Sequence, residues 1–85
     1  MHHFVYILHS EKLDRYYVGV SHAPEIRLFY HNSGKGGWSK RGIPWRLVFV
    51  EEFSSRSEAL KRERFIKKQK SRVFLEELIA SPPSH

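Results

Sequence analysis

The sequence predicts a small α/β (α+β) domain with the element order β-β-α-β-α-α. Three observations predict it. Two short runs of aromatic and β-branched residues flank a polar break near the N-terminus, a third run lies mid-chain, and apolar residues elsewhere recur at three- and four-residue spacing.

Residues 4–9 and 15–20 share a strand-forming character and are separated by the polar stretch 10–14, which reads as a β-hairpin. Ser21 or His22 stands before Pro24 and Glu25, a helix start with Pro in the first turn and an acid at the positive end of the dipole. The helix is expected over residues 24–32, with Ile26, Phe29 and Tyr30 as its apolar stripe. Gly34, Gly36, Gly37 and Gly42 break the pattern, so residues 33–45 read as a long loop or a loop carrying a short helix, and long structured loops in small domains tend to be functional. Residues 45–53 read as a third strand, buried on both faces over part of its length. The serines before Glu58 carry an N-cap signal for a helix running to about Gln69. A last amphipathic helix holds Val73, Phe74, Leu75, Leu78 and Ile79 and ends before Pro82.

The chain has 85 residues, a length for one domain, expected over residues 1–80 with a frayed tail over 81–85. With 40% hydrophobic and 14% aromatic residues it can build a core, which argues against disorder. The absence of cysteine excludes a disulfide scaffold, a cysteine zinc site and a thiol nucleophile. No apolar run approaches the ~20 residues of a membrane span and no secretion signal follows Met1, so a cytoplasmic protein without a membrane partner is expected. His2 and His3 are expected to be neither ordered nor functional. Fifteen Lys and Arg against nine Asp and Glu give a net charge of +6, a field that favours a polyanion such as nucleic acid but is equally the mark of a solvated basic surface.

Three groups of residues could carry chemistry. Tyr6 and Tyr17 sit on the two strands of the expected hairpin, where core filling is the plainer explanation for each. Arg27 and His31, four apart on a helix, share a face and could converge on one anion, or simply face solvent. Glu63 is the lone acid among Lys61, Arg62, Arg64, Lys67, Lys68, Lys70 and Arg72. It is either an i,i+4 partner of Lys67 or a single carboxylate for Mg²⁺ beside phosphate, since Mg²⁺ keeps several waters and needs only one or two carboxylates. A phenol, a guanidinium and one carboxylate together are the parts needed to hydrolyse a phosphodiester.

Phe4-Val5-Tyr6 and Tyr17-Val18-Gly19, followed by Arg27, His31 and the helix with Glu63, resemble the ordered motifs of the GIY-YIG nuclease superfamily. The resemblance extends to His31-Asn32-Ser33-Gly34-Lys35-Gly36-Gly37 and to Pro44-Trp45, features of its small stand-alone bacterial branch. It implies a three-stranded antiparallel sheet flanked by helices and a divalent-metal-dependent endonuclease using Mg²⁺ or Mn²⁺. The resemblance makes Tyr6 and Tyr17 the signature tyrosines, one of them activating water, with the choice between them open. Arg27 would stabilise the pentacovalent charge, His31 would orient or protonate, Glu63 would ligate the metal, and Gly19 would permit close backbone approach. Phe4 stands where the signature has its first glycine, and no Asn follows Asn32, so a late Asn used by some members is missing.

Lys35, Trp38, Lys40 and Arg41 of the loop, with Lys61, Arg64, Lys67 and Lys68 of the basic helix, are the expected nucleic-acid contacts; Trp38 would either stack on an unpaired base or pack within the loop. The expected function is hydrolysis of DNA, at branched or single-stranded regions, in repair or recombination, with a protein partner able to supply specificity. The alternative is a non-catalytic nucleic-acid-binding module that retains the fold.

Overall fold

The computed structural model describes residues 2–82; the part of the expected tail over 83–85 lies outside the described residues. The hairpin strands are β1 (His3–Ser10) and β2 (Arg15–Ser21), and β3 (Trp45–Phe53) pairs antiparallel with the other side of β1, so the strand order is β2-β1-β3. The central position of β1 explains its unbroken burial: Val5, Tyr6, Ile7 and Leu8 are each at most 1% exposed, because both faces of the sheet are covered.

On one face Val5 and Ile7 meet Val18, Phe49 and the helix α2 (Arg56–Gln69) through Ala59 and Ile66, with Phe74, Leu75, Leu78 and Ile79 of α3 (Arg72–Ala80) packed around them. On the other, Tyr6 and Leu8 meet Trp45, Leu47, Ile43 and Leu28 of the first helix, α1 (Pro24–Asn32). Strand β3 serves both faces through a bulge. Ile7 pairs with Phe49 and Leu8 with Leu47, which leaves Val48 as the extra residue. The extra residue reverses the alternation, so Trp45 and Leu47 join the Tyr6 face while Phe49 and Glu51 join the Ile7 face. Two-sided burial therefore holds for the middle of the strand but not at Val50, which is 42% exposed.

Two expectations for α1 need correcting. Its N-cap is Ala23 rather than Ser21 or His22, and Ser21 acts one step earlier, its Oγ accepting from the Ala23 N–H at 3.0 Å. The stripe of Ile26, Phe29 and Tyr30 does not face the core: these residues are 67%, 77% and 38% exposed. The face turned inward carries Pro24, Leu28 and His31, spaced four and three apart, with Arg27 beside them. The cause lies at the end of the helix. Asn32 Nδ2 donates to the Trp45 carbonyl at 3.0 Å and its Oδ1 accepts from the Trp45 N–H at 2.7 Å, a two-bond clamp that fixes the helix phase against the start of β3.

The loop after α1 carries a short 3-10 helix over Gly37–Gly42. It is tied down by the Trp45 indole N–H, which donates to the Ser39 carbonyl at 2.6 Å, and by the buried Ser10 hydroxyl, which donates to the Gly42 carbonyl at 2.7 Å. Helix α2 opens as its sequence indicates, with the Ser55 Oγ accepting from the Glu58 N–H at 3.2 Å, and it closes at Lys70, whose φ of 48° is left-handed. Among the described residues, no helix is long and apolar enough to cross a membrane.

Candidate active site

A cleft of about 600 Å³ opens at the edge strand β2, between the Tyr6 face of the sheet and helix α2. Tyr6, Tyr17, Gly19, Arg27 and Glu63 all line it. Five of the six motif positions singled out in the sequence, brought from β1, β2, α1 and α2, thus meet in one place.

Each arrives there for a local reason. Tyr6 and Tyr17 come from adjacent strands, with ring centroids 6.2 Å apart. Tyr6 pairs across with Gly19, and a Cβ at Gly19 would lie 2.6 Å from the Tyr6 hydroxyl oxygen and 2.7 Å from Cζ. The glycine is therefore needed for the room it gives the phenol. Arg27 reaches the cleft because the Asn32 clamp turns its side of α1 toward the sheet; its guanidinium lies 4.9 Å from the Tyr30 ring centroid. Glu63 is directed by the neighbouring, buried face of its own helix. Ala59 and Ile66 bury against the sheet, and Arg62 Nε donates to the buried Glu51 of β3 at 2.9 Å, which sets the rotation of α2 and leaves Glu63 over the β2 edge.

His31 does not join this lining. It is 5% exposed and lies behind Tyr17 with the rings tilted by 56° and their centroids 4.7 Å apart, and Tyr30 and Trp45 are its other aromatic neighbours. Neither ring nitrogen has a hydrogen-bond partner among the described residues. Arg27 and His31 do share a helix face, but only Arg27 is directed to the cleft, so they do not converge on one anion.

The electrostatics separate the groups. Burial pushes the Tyr6 phenol above its usual range, opposed by the Arg27 guanidinium beside it, and the neighbouring phenol in turn raises Arg27. Burial, reinforced by the charge of Arg27, pushes His31 below its ordinary value, so its ring is neutral at pH 7. Glu63 is paired with Lys67 at 3.2 Å, and its side chain is 18% exposed.

The remaining expected contacts fall into two sets. Lys35, Trp38, Lys40 and Arg41 are exposed on the loop and its 3-10 helix and do not line the cleft; Trp38 is half exposed and tilts against Trp45 with centroids 5.7 Å apart. On α2, Lys61, Arg64 and Lys68 form an exposed stripe at three- and four-residue spacing beside the stripe of Arg56, Leu60, Glu63 and Lys67. The sequence reasoning missed Arg56, Leu60, His3 and His22, which also line the cleft. His3 corrects an expectation outright: it opens β1, and its ring lies 4.4 Å from that of His22. His22 Nδ1 donates to the His2 carbonyl at 3.0 Å, and His2 pairs with Glu52. Strand alternation would have put His3 with Val5 and Ile7, but nothing in the sequence marks the segment as paired at its first residue.

The chain belongs to the GIY-YIG catalytic domain family, whose match spans residues 2–76. It is similar to a UPF0213 protein of Staphylococcus haemolyticus, 44% identical over 66 residues that cover 76% of this chain and 79% of the relative. It is also similar to the UPF0213 protein YazA of Bacillus subtilis, 34% identical over 79 residues covering 88% and 79%. The solution NMR structure of a UPF0213 protein from Bacillus halodurans superposes with a TM-score of 0.60 at 36% identity, covering 96% of this chain and 86% of that one. The family is a nuclease family, and the three-stranded sheet with its β-β-α-β-α-α order is the fold of that relative.

Proposed function

We propose that this chain is a divalent-metal-dependent endonuclease that hydrolyses DNA phosphodiester bonds, acting at branched or single-stranded regions in repair or recombination. The observation that supports the reading most directly is the meeting of Tyr6, Tyr17, Arg27 and Glu63 in one cleft.

The donor set suits a hard ion. Glu63 offers one partly buried carboxylate, and Mg²⁺ keeps several waters and needs only one or two carboxylates when phosphate oxygens complete its shell. Bound at Glu63, Mg²⁺ or Mn²⁺ would neutralise phosphate charge as a Lewis acid. Arg27 would bind a non-bridging phosphate oxygen and meet the charge that grows on it. Tyr6 lines the cleft beside Arg27 and would meet the same phosphate. One of the two phenols, Tyr6 or Tyr17, would take a proton from the attacking water with the ion or Arg27 to favour its ionised form, and His31, tilted against Tyr17, would fix the orientation of that ring.

Labelled single-stranded, flap, four-way and duplex DNA, incubated with Mg²⁺, Mn²⁺ or EDTA, tests this. Cleavage that needs the ion and falls at least about a hundredfold in Glu63→Gln and Arg27→Ala is the expected outcome. A folded Glu63→Gln protein cutting at the wild-type rate would refute it, and salt-dependent binding without cleavage, unaltered by EDTA, would assign the chain to a binding module instead.

A further inference from the structure

A second cavity of about 400 Å³ lies at the start of β2, walled by Arg15 and Tyr16 of β2, by Lys67 of α2, and by Lys70 at the junction with α3. We propose that this cavity is a second phosphate subsite, where Arg15, Lys67 and Lys70 hold the backbone of the same polynucleotide strand whose scissile phosphate lies in the cleft. The proposal rests on the nucleic-acid reading of the cleft and extends it.

Charge is what singles the cavity out. Four cationic residues and one acid, Asp14, line it. Asp14 and Arg72 neutralise each other: Arg72 donates to the Asp14 carboxylate and, at 3.1 Å, to its carbonyl, and is further paired with Glu76 at 3.3 Å. Arg15 and Lys70 are exposed and have no ion-pair partner among the described residues. Lys67 connects the two sites, because its ammonium, now 3.2 Å from Glu63, can turn to an anion in the second cavity. The floor of Val18, Ile66 and Leu75 offers no side-chain hydrogen bonds and suits a sugar or base face better than a free ion.

Distance fits a strand. Arg15 precedes Gly19 by four residues of β2, about 13 Å at ~3.3 Å per residue. Tyr17, which also lines the cleft, is nearer, at about 7 Å by the same rise, so with stacked nucleotides rising about 3.4 Å each the subsite lies roughly two to four nucleotides from the cleft.

The test is binding of fluorescein-labelled single-stranded oligonucleotides of three and of twelve nucleotides, followed by anisotropy in EDTA over a salt series. Arg15→Gln with Lys70→Gly should weaken the twelve-nucleotide strand at least about tenfold at low salt and lower the salt slope by about 1.4, the value for two phosphate contacts on a single strand. The three-nucleotide strand should be unaffected. Lys70→Gly also removes a side chain from a left-handed position, so the thermal midpoint should hold or rise while binding falls, which separates a lost contact from a damaged fold. Wild-type binding by the double variant, equal losses for both lengths, or a loss found only in Trp38→Ala with Arg41→Gln would overturn the proposal. Because the assay contains no metal, a protein that shows this length dependence yet cuts nothing retains the subsite and loses only the nuclease reading.

Discussion

Replacing Gly19 by alanine tests the packing that shapes the cleft. In an ordinary strand interior the change would be mildly favourable, since Gly is worse than Ala by roughly 0.5–1 kcal/mol. Here the new Cβ would stand 2.6 Å from the Tyr6 hydroxyl oxygen and 2.7 Å from Cζ, against the 3.4 Å or more of ordinary contact, so about 0.8 Å must be found. Tyr6 is 1% exposed and sits between Leu8, Trp45 and Tyr17, so its ring cannot swing aside without displacing neighbours. Overpacking of this kind costs about 1–3 kcal/mol, which exceeds the propensity gain. For a domain of this size each kcal/mol lowers the melting temperature by about 4–8 °C. Thermal and urea denaturation of Gly19→Ala should show that loss, and cleavage should fall by more than binding, because the displaced phenol belongs to the candidate catalytic group. Tyr6→Leu in the same background should recover part of the stability and none of the activity. A Gly19→Ala protein at least as stable as wild type would refute the reasoning.

Other perturbations follow from the same geometry. Asn32→Ala removes both bonds to the Trp45 backbone and should cost about 2–3 kcal/mol by denaturation; a loss below half a kcal/mol would show that the clamp does not hold α1. His31 is held below the ordinary 6.5, so the unfolded chain takes up the proton first as pH falls. Its contribution to stability is intact above about pH 6.5 and is lost below it, with a slope of at most ~1.4 kcal/mol per pH unit, and His31→Phe should flatten that part of a stability-versus-pH curve. An unchanged acid limb in the variant would contradict the burial argument. Lys67→Ala removes the cation at Glu63, and Mn²⁺ binding followed by electron paramagnetic resonance should tighten about twofold, as expected for a pair worth ~0.3–0.5 kcal/mol; looser binding would contradict it.

The strands were legible because their signal is local: a β-branched and aromatic run is visible without knowing what it packs on. The site was legible for a different reason, since Tyr6, Tyr17, Arg27 and Glu63 form an ordered set that a resemblance can match. What could not be read depended on long-range partners. Ile26, Phe29 and Tyr30 have the spacing of a buried stripe, but α1 is seated through Pro24, Leu28, His31 and the Asn32 clamp to Trp45, thirteen residues on, which leaves them to solvent. The bulge at Val48 has no glycine to announce it, yet it decides which face receives Trp45. His31 was read with Arg27 from helical spacing, which gives a shared face but cannot say that one side chain stops in the aromatic stack behind Tyr17 while the other passes it.

The fate of the single carboxylate turns on two ion pairs of unequal strength on adjacent faces of α2. Arg62 and Glu51 meet at 2.9 Å, with Glu51 buried, so removing Arg62 strands a carboxylate in the interior and costs several kcal/mol. Lys67 and Glu63 form an i,i+4 pair whose lysine is 56% exposed, a contact worth only a few tenths of a kcal/mol. The first pair therefore holds the helix in place, and the second can open at almost no cost. Pairing with Lys67 is thus compatible with metal binding at Glu63: a divalent ion or a substrate phosphate competes against the weakest charged contact at the cleft, while the rotation of α2 that aims Glu63 is secured elsewhere. Had the two pairs been exchanged, with the buried one at position 63, the carboxylate would be committed to the fold and the cleft would have no acid to offer.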